Sequence, residues 1–194
     1  MAKRAGTAKM AAMNADLGRP PRIYLAGPDI FRPDHAAVFR DLKQLCAALG
    51  LEGVAPSDAS LDLAGAATGD EEAERIYQGN IALIRDCSGV VANLQPFRGL
   101  EPDAGTVFEV GFAVALGRPV VGYGVPADSY AARVAAQLPC VADARGVLRE
   151  RAGGVEVEGR GQRLNLMITR STPLAADAAA ALRQLAGLLE TAAR

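Results

Sequence analysis

Two carboxylates six residues apart, Asp103 and Glu109, lie in the run Asp-Ala-Gly-Thr-Val-Phe-Glu-Val-Gly, and Glu109 stands where ordinary packing would not put a charge. The Gly89-Val90-Val91-Ala92 segment before them reads as a short buried strand. Phe108, Val110, Phe112, Ala113 and Leu116 read as a helix packed on that strand. Glu109 therefore falls near the start of a helix, just beyond a loop rich in glycine and proline. An open α/β sheet holds its active site there, in the crevice at the carboxyl ends of the strands. A lone glutamate at a helix start can simply offset the helix dipole and point at water. With Asp103 in the same loop, two carboxylates can converge on one crevice, the usual equipment for acid, base or nucleophilic work at a glycosidic carbon.

The elements that must position this pair alternate short apolar runs with helical periodicity from Arg22 onward. This pattern predicts an α/β fold, with a doubly wound, mainly parallel five-stranded sheet flanked by helices in a flavodoxin- or Rossmann-like three-layer sandwich. Four strands are placed, at Ile23–Ala26, Glu52–Ala55, Gly89–Ala92 and Val120–Tyr123. A helix from Pro33-Asp34 to Leu49 carries Val38, Leu42, Leu45, Cys46 and Leu49 at helical spacing, with Gly50 as its stop. Further helices are expected over 71–86, 106–116, 130–137 and 173–193, the last with Leu182, Leu185, Leu188 and Leu189 as a core-facing stripe. Residues 56–69 are small, polar and acidic and suit a loop over the site. Residues 138–163, with weak alternation in Val155-Glu156-Val157-Glu158, read as loop that can hold a hairpin.

Composition narrows the function classes. With 21 basic and 22 acidic side chains in 194 residues, the formal net charge is -1, and no Lys/Arg cluster marks a nucleic-acid groove. No stretch approaches the roughly 18 apolar residues of a membrane span. Cys46, Cys87 and Cys140 are far apart and set in apolar surroundings, so they read as buried small hydrophobes in a reducing cytoplasm, without metal-ligand or disulfide spacing. With His35 as the sole histidine, expected exposed in the first turn of its helix, no metal site and no cofactor is indicated. The expected layout is a disordered leader over 1–20 and a single domain over 21–194.

Three segments together resemble the nucleoside 2-deoxyribosyltransferase family: Ile23-Tyr-Leu-Ala-Gly-Pro-Asp-Ile-Phe31, the Asp103–Gly111 block, and Leu164-Asn-Leu-Met167. They frame about residues 22–170, in the family's order. The resemblance implies that Glu109 is a nucleophile, forming a covalent deoxyribosyl ester that a second base reopens with net retention. It implies that Tyr24 holds the nucleophile's carboxylate and that Asp103 binds sugar hydroxyls. Gly27, Asp29 and Phe31 match the part lining the base pocket, where Phe31 could stack on a base and Asp29 accept from it.

Asn165 matches an asparagine that reaches into a neighbouring subunit's site, with Met167 close by. The implied partners are thus a deoxynucleoside, a free base and further copies of the chain, as a dimer or multiple of dimers with shared sites. Asn80 stands near a position where some members carry an aspartate that handles the leaving base, and an amide cannot act there as a general acid. Two other readings stand beside transfer. One is hydrolysis of 2-deoxynucleoside 5′-monophosphates, disfavoured because Asp29 and Asp103 would repel a dianion. The other is a non-catalytic nucleoside sensor, which would have no need of Glu109.

Overall fold

The computed structural model describes residues 18–59, 61 and 64–192. Strands β1 (Arg22–Ala26), β2 (Glu52–Val54), β3 (Gly89–Asn93) and β4 (Val120–Tyr123) pair in parallel in the order β2-β1-β3-β4. Tyr24 is in register with Val54 on one side and Val90 on the other. Such strands are apolar almost throughout because helices cover both faces of a parallel sheet. The period of two sorts their side chains. Ile23, Leu25, Val91 and Val121 pack on one face against Phe39, Leu42 and Cys46 of α1 (His35–Ala48) and Ala181, Leu182 and Leu185 of the C-terminal helix (Ala178–Ala192). Tyr24, Ala26, Val90, Ala92 and Val120 pack on the other. There they meet Ile84 of α2 (Gly69–Asp86), Val110 and Ala113 of α3 (Ala104–Ala115), and Ile168 of a short helix, Leu166–Ser171.

The predicted fifth strand is absent among the described residues. Beyond β4 the chain makes only an isolated parallel bridge between Gly122 and Leu174, with Gly122 N donating to Pro173 O and Ala175 N to Gly122 O. Pro173 has no N–H to extend a ladder, and Asp177 Oδ1 accepts from Ala180 N (2.7 Å) to open the last helix at once. The sheet therefore has four strands.

After β4 come α4 (Tyr130–Gln137) and an antiparallel hairpin of β5 (Cys140–Ala142) and β6 (Leu148–Glu150), inside the 138–163 stretch expected to hold one and ahead of the alternation at 155–158. Asp143 sets its turn by accepting from Arg145 N, Val147 N and Arg149 Nε, and of the 155–158 segment Glu156 adds a bridge to Arg149. The Leu166–Ser171 helix is α5 and the C-terminal one α6. Cys46 and Cys87 are buried, whereas Cys140, at the hairpin's start, is half-buried.

His35 is half-buried too, its Nδ1 within 2.9 Å of Arg32 O. Leu45 and Leu49 of α1 face outward, 39% and 37% exposed, because Phe39 takes the inward place with Leu42 and Cys46. The start of the 56–69 loop is anchored, Asp58 accepting from Ala55 N (2.9 Å) and Lys43 Nζ (2.7 Å). The remainder of the proposed loop over the site lies partly outside the described residues, as does the leader up to residue 17. Among the described residues no helix is long and apolar enough to cross a membrane.

The leucine stripe of α6 divides in the fold. Leu185 is fully buried, but Leu188 is 41% exposed. Leu185→Ala should cost about 2–5 kcal/mol and Leu188→Ala under about 1 kcal/mol, as read from urea unfolding midpoints; equal costs would show that the stripe packs uniformly.

Candidate active site

The order β2-β1-β3-β4 reverses direction between β1 and β3, so the connections leaving their carboxyl ends part to opposite faces and open a crevice. The candidate residues stand on β1, on β3, or on the segments that leave them, with α2 and α5 flanking. Glu109 shares the sheet-facing stripe of α3 with Thr106, Val110 and Ala113, at the i, i+3, i+4 spacing of one helix face. Tyr24 points at that stripe from β1 and is fully buried. Its hydroxyl donates to Glu109 Oε1 at 2.6 Å, across 85 residues of sequence.

A carboxylate drawn into this apolar layer loses hydration, which pushes the Glu109 carboxyl up to about 7. The Tyr24 hydrogen bond opposes that shift, and the negative charge of Asp103 adds to it. Burial first, then Glu109's charge, pushes the Tyr24 phenol far up, so Tyr24 stays a donor throughout the neutral range. Asp103 is the N-cap of α3, its Oδ2 accepting from Thr106 N (2.8 Å) and Thr106 Oγ1 (3.0 Å). Oδ1 makes no hydrogen bond to the described residues.

A second cluster stands at the same end of the sheet. Asp29, in a single helical turn at Pro28–Phe31, is 6% exposed, and its Oδ2 accepts from Asn93 Nδ2 at 2.9 Å. Gly27 lets this happen: a Cβ there would meet Asn93 Cβ at 2.8 Å and Asp29 Oδ2 at 2.9 Å. Phe31, 61% exposed, stacks on Phe97 with ring centroids 5.5 Å apart, and the Arg98 guanidinium lies over both rings. Arg98 takes the left-handed φ of 55° as Phe97 N closes the loop onto Glu101 O. A cavity of about 240 Å³ behind this loop, between Pro96–Leu100 and α4, includes neither Tyr24 nor Glu109.

The remaining predicted residues flank these clusters. Asn80 is half-buried on α2, which packs against α3. Asn165 is the N-cap of α5, its Oδ1 accepting from Met167 N and its Nδ2 donating to Glu158 Oε2 at 2.9 Å, while Met167 is 72% exposed. Tyr24, Glu109 and Asp103 thus come together, as do Gly27 and Asp29, and Asn165 with Met167. No hydrogen bond joins Asp29 to the Tyr24–Glu109 pair. Sequence reasoning missed Asn93, Phe97, Arg98 and Glu158. An amide ending the otherwise apolar strand Gly-Val-Val-Ala was the signal for Asn93, whereas the partners of the other three are set only by folding. Among the described residues no group of three or more His, Cys, Asp or Glu is placed to hold a metal ion.

The nucleoside 2-deoxyribosyltransferase family model matches residues 23–167, which contain every residue of both clusters. The chain belongs to this family. A 2-deoxyribosyltransferase from Leishmania mexicana has a similar structure, 30% identical with a TM-score of 0.67, the match covering 87% of this chain and 98% of that one. A conserved protein from Enterococcus faecalis V583 shares the fold at 17% identity, TM-score 0.52, over 89% of this chain and 98% of its own. An uncharacterized protein of Schizosaccharomyces pombe is 35% identical over 130 residues, 66% of this chain and 62% of the yeast protein's length.

The raised Glu109 carboxyl has a stability signature. Between about pH 4.5 and 7 the folded chain holds a proton there that the unfolded chain releases, so this group's stability contribution falls as pH rises through that window. Glu109→Gln removes the ionisation, and should be more stable than wild type by about 1–3 kcal/mol at pH 8 with little gain at pH 4.5. Unfolding midpoints at the two pH values test this; a gain independent of pH would show that Glu109 is not the buried ionising group.

Proposed function

We propose that the protein transfers 2-deoxyribose between nucleobases by double displacement through a covalent ester on Glu109, as nucleoside salvage requires. The observation that carries this reading is the 2.6 Å bond from buried Tyr24 to Glu109. It holds one carboxylate oxygen and leaves Oε2 for attack. The likeness to the Leishmania mexicana 2-deoxyribosyltransferase supports it.

In the first displacement Oε2 bonds to the anomeric carbon as the carbon–nitrogen bond breaks, and the electron pair leaves with the base nitrogen, which takes up a proton from solvent. In the second, a ring nitrogen of the incoming base attacks the opposite face, releasing the carboxylate and losing its own proton to solvent. A poorly hydrated anion suits the positive charge that builds on the sugar. Asp103 Oδ1 is assigned to the sugar hydroxyls, Gly27, Asp29 and Phe31 to the base, and Asn80 to a hydrogen bond with the departing base. A missing 2′-hydroxyl eases the cationic transition state, so deoxyribonucleosides are the proposed donors. The carboxylates of Asp29, Asp103 and Glu109 favour the free nucleoside over its 5′-monophosphate.

The active unit in this reading is an oligomer, a dimer or multiple of dimers, in which Asn165 and Met167 complete a neighbour's site. Supporting it, α3 is apolar on its outward side as well, where Phe108 is 51% exposed beside Tyr77 of α2 at 46%.

Attack requires ionised Glu109, so base exchange should rise with pH through about 7. Glu109→Ala should lose at least about 10³-fold in turnover while staying folded. Tyr24→Phe removes the bond that lowers the Glu109 pKa, so it should lower the rate about 10–100-fold and move the acid limb to higher pH. Steady-state exchange of deoxyinosine with adenine measures all three. Near-normal turnover in Glu109→Ala would sink the mechanism, and base release from the monophosphate without need of an acceptor would assign the chain to hydrolysis instead.

Mixing inactive Glu109→Ala with inactive Asn165→Ala subunits should restore activity, since a hybrid can hold one site with both residues intact. A fully active monomer in sedimentation would rule out the shared site.

A further inference from the structure

The four buried polar side chains among the described residues are Asp29, Asn93, Thr106 and Thr172. Thr106 belongs to the α3 cap. Asp29 and Asn93 face each other, and the deoxyribosyl chemistry leaves Asn93 without a task. Its amide is fixed at both ends. Gln95 N donates to Asn93 Oδ1 at 3.2 Å, which leaves Nδ2 as the end that meets Asp29 Oδ2 at 2.9 Å.

Two glycines wall the amide in. A Cβ at Gly27 would stand 2.8 Å from Asn93 Cβ, and one at Gly124, whose φ is +80°, would stand 2.6 Å from Asn93 Oδ1. The adjacent cation is paired elsewhere: Arg32 Nε and Nη2 donate to Asp34 at 2.8 and 2.9 Å, and no side-chain hydrogen bond joins Arg32 to Asp29. Tyr123, paired with Asn93 across the β3–β4 ladder, lies close enough for the Asp29 charge to push its phenol up, after burial.

We infer that Asn93 is a positioning residue that commits Asp29 Oδ2 and so presents Oδ1 to the base, selecting bases that offer an N–H donor on the edge away from the sugar. This rests on the deoxyribosyl reading for the identity of the ligand. The chemistry follows from valence. A carboxylate oxygen accepts and does not donate, so an exocyclic amino group or a protonated ring nitrogen satisfies it, whereas a methyl group leaves it desolvated and unpaired. Without Asn93, Asp29 could rotate, and the acceptor would no longer be aimed.

Adenine and 6-methylpurine differ by an amino group against a methyl group at the same carbon, and serve as paired acceptors with deoxyinosine as donor. Wild type should prefer adenine by about tenfold or more in kcat/KM. In Asn93→Ala the preference should fall below about threefold, through a raised adenine KM with kcat much less affected. Asn93→Asp sets two carboxylates in contact and should lose the preference as well. The swap D29N/N93D restores a donor–acceptor pair and should recover part of it, even if the single variants fold poorly.

An unchanged adenine to 6-methylpurine ratio in Asn93→Ala, or a swap no better than Asn93→Asp, would overturn the inference. So would a loss confined to kcat and melting temperature, the mark of a purely structural amide. Should wild type exchange no base at all, the deoxyribosyl reading fails separately. Calorimetric binding of the same two purines to wild type and Asn93→Ala then decides the Asn93 inference by the same ratio.

Discussion

The hydrogen bond from Tyr24 to Glu109 is the constraint on which the rest of the arrangement turns. Moving a carboxylate from water into an apolar layer is strongly unfavourable unless hydrogen bonds replace its hydration. Among the described residues the replacement is a single short bond from a phenol that is itself fully buried. That leaves the carboxyl pushed up to about 7, because the one bond does not offset the lost hydration. A more complete set of donors would have stabilised the charge and brought the carboxyl back toward its ordinary range. Asp103 works in the same direction, since its negative charge keeps the Glu109 carboxyl high while its own Oδ2 is occupied by the α3 cap.

Holding that bond at 2.6 Å requires β1 and α3 to be mutually fixed. The parallel sheet does this by packing. Tyr24, Val90 and Val54 form one row across three strands, and Val110 and Ala113 seat α3 on it. The opposite face, closed by α1 and α6, holds no proposed catalytic group, but it keeps β1 and β3 from shifting. A register slip of one residue would turn Tyr24 to that far face and bring Ile23 or Leu25 to Glu109. The fold therefore positions its chemistry through the alternation of strand side chains.

The segment from Asn93 to Asp103 links the two clusters. It begins at the amide that holds Asp29, carries Phe97 against Phe31, and ends at the carboxylate that caps α3. The left-handed Arg98 gives this loop its tight return, and its guanidinium covers the ring pair it has just turned past. A change in this loop would be felt by Asp29 and Phe31 and by Asp103 together, because all are tied to one short stretch of chain.

How far residue order alone determines this protein can be judged element by element. Strands β1 to β4 and the helices between them were legible because continuous apolar runs and helical periodicity are local properties. Glu109 was legible because a charge interrupts an apolar stripe, and the family resemblance supplied Tyr24 as its expected partner. The fifth strand failed for a local reason, the missing N–H of Pro173. The hairpin falls inside the 138–163 stretch expected to hold one, but its turn is set by Asp143 bonds to Val147 and Arg149, while the alternation at 155–158 yields one bridge. Only the tertiary structure decided that Asn93 meets Asp29 across 64 residues, that Phe97 meets Phe31, and that Asn165 is held by Glu158. These pairings depend on which strands become neighbours and where the loops leave them, and no local periodicity encodes that. Sequence thus determined which groups could do chemistry, and folding determined which of them share a proton, because that requires contact at hydrogen-bond distance between residues far apart in the chain.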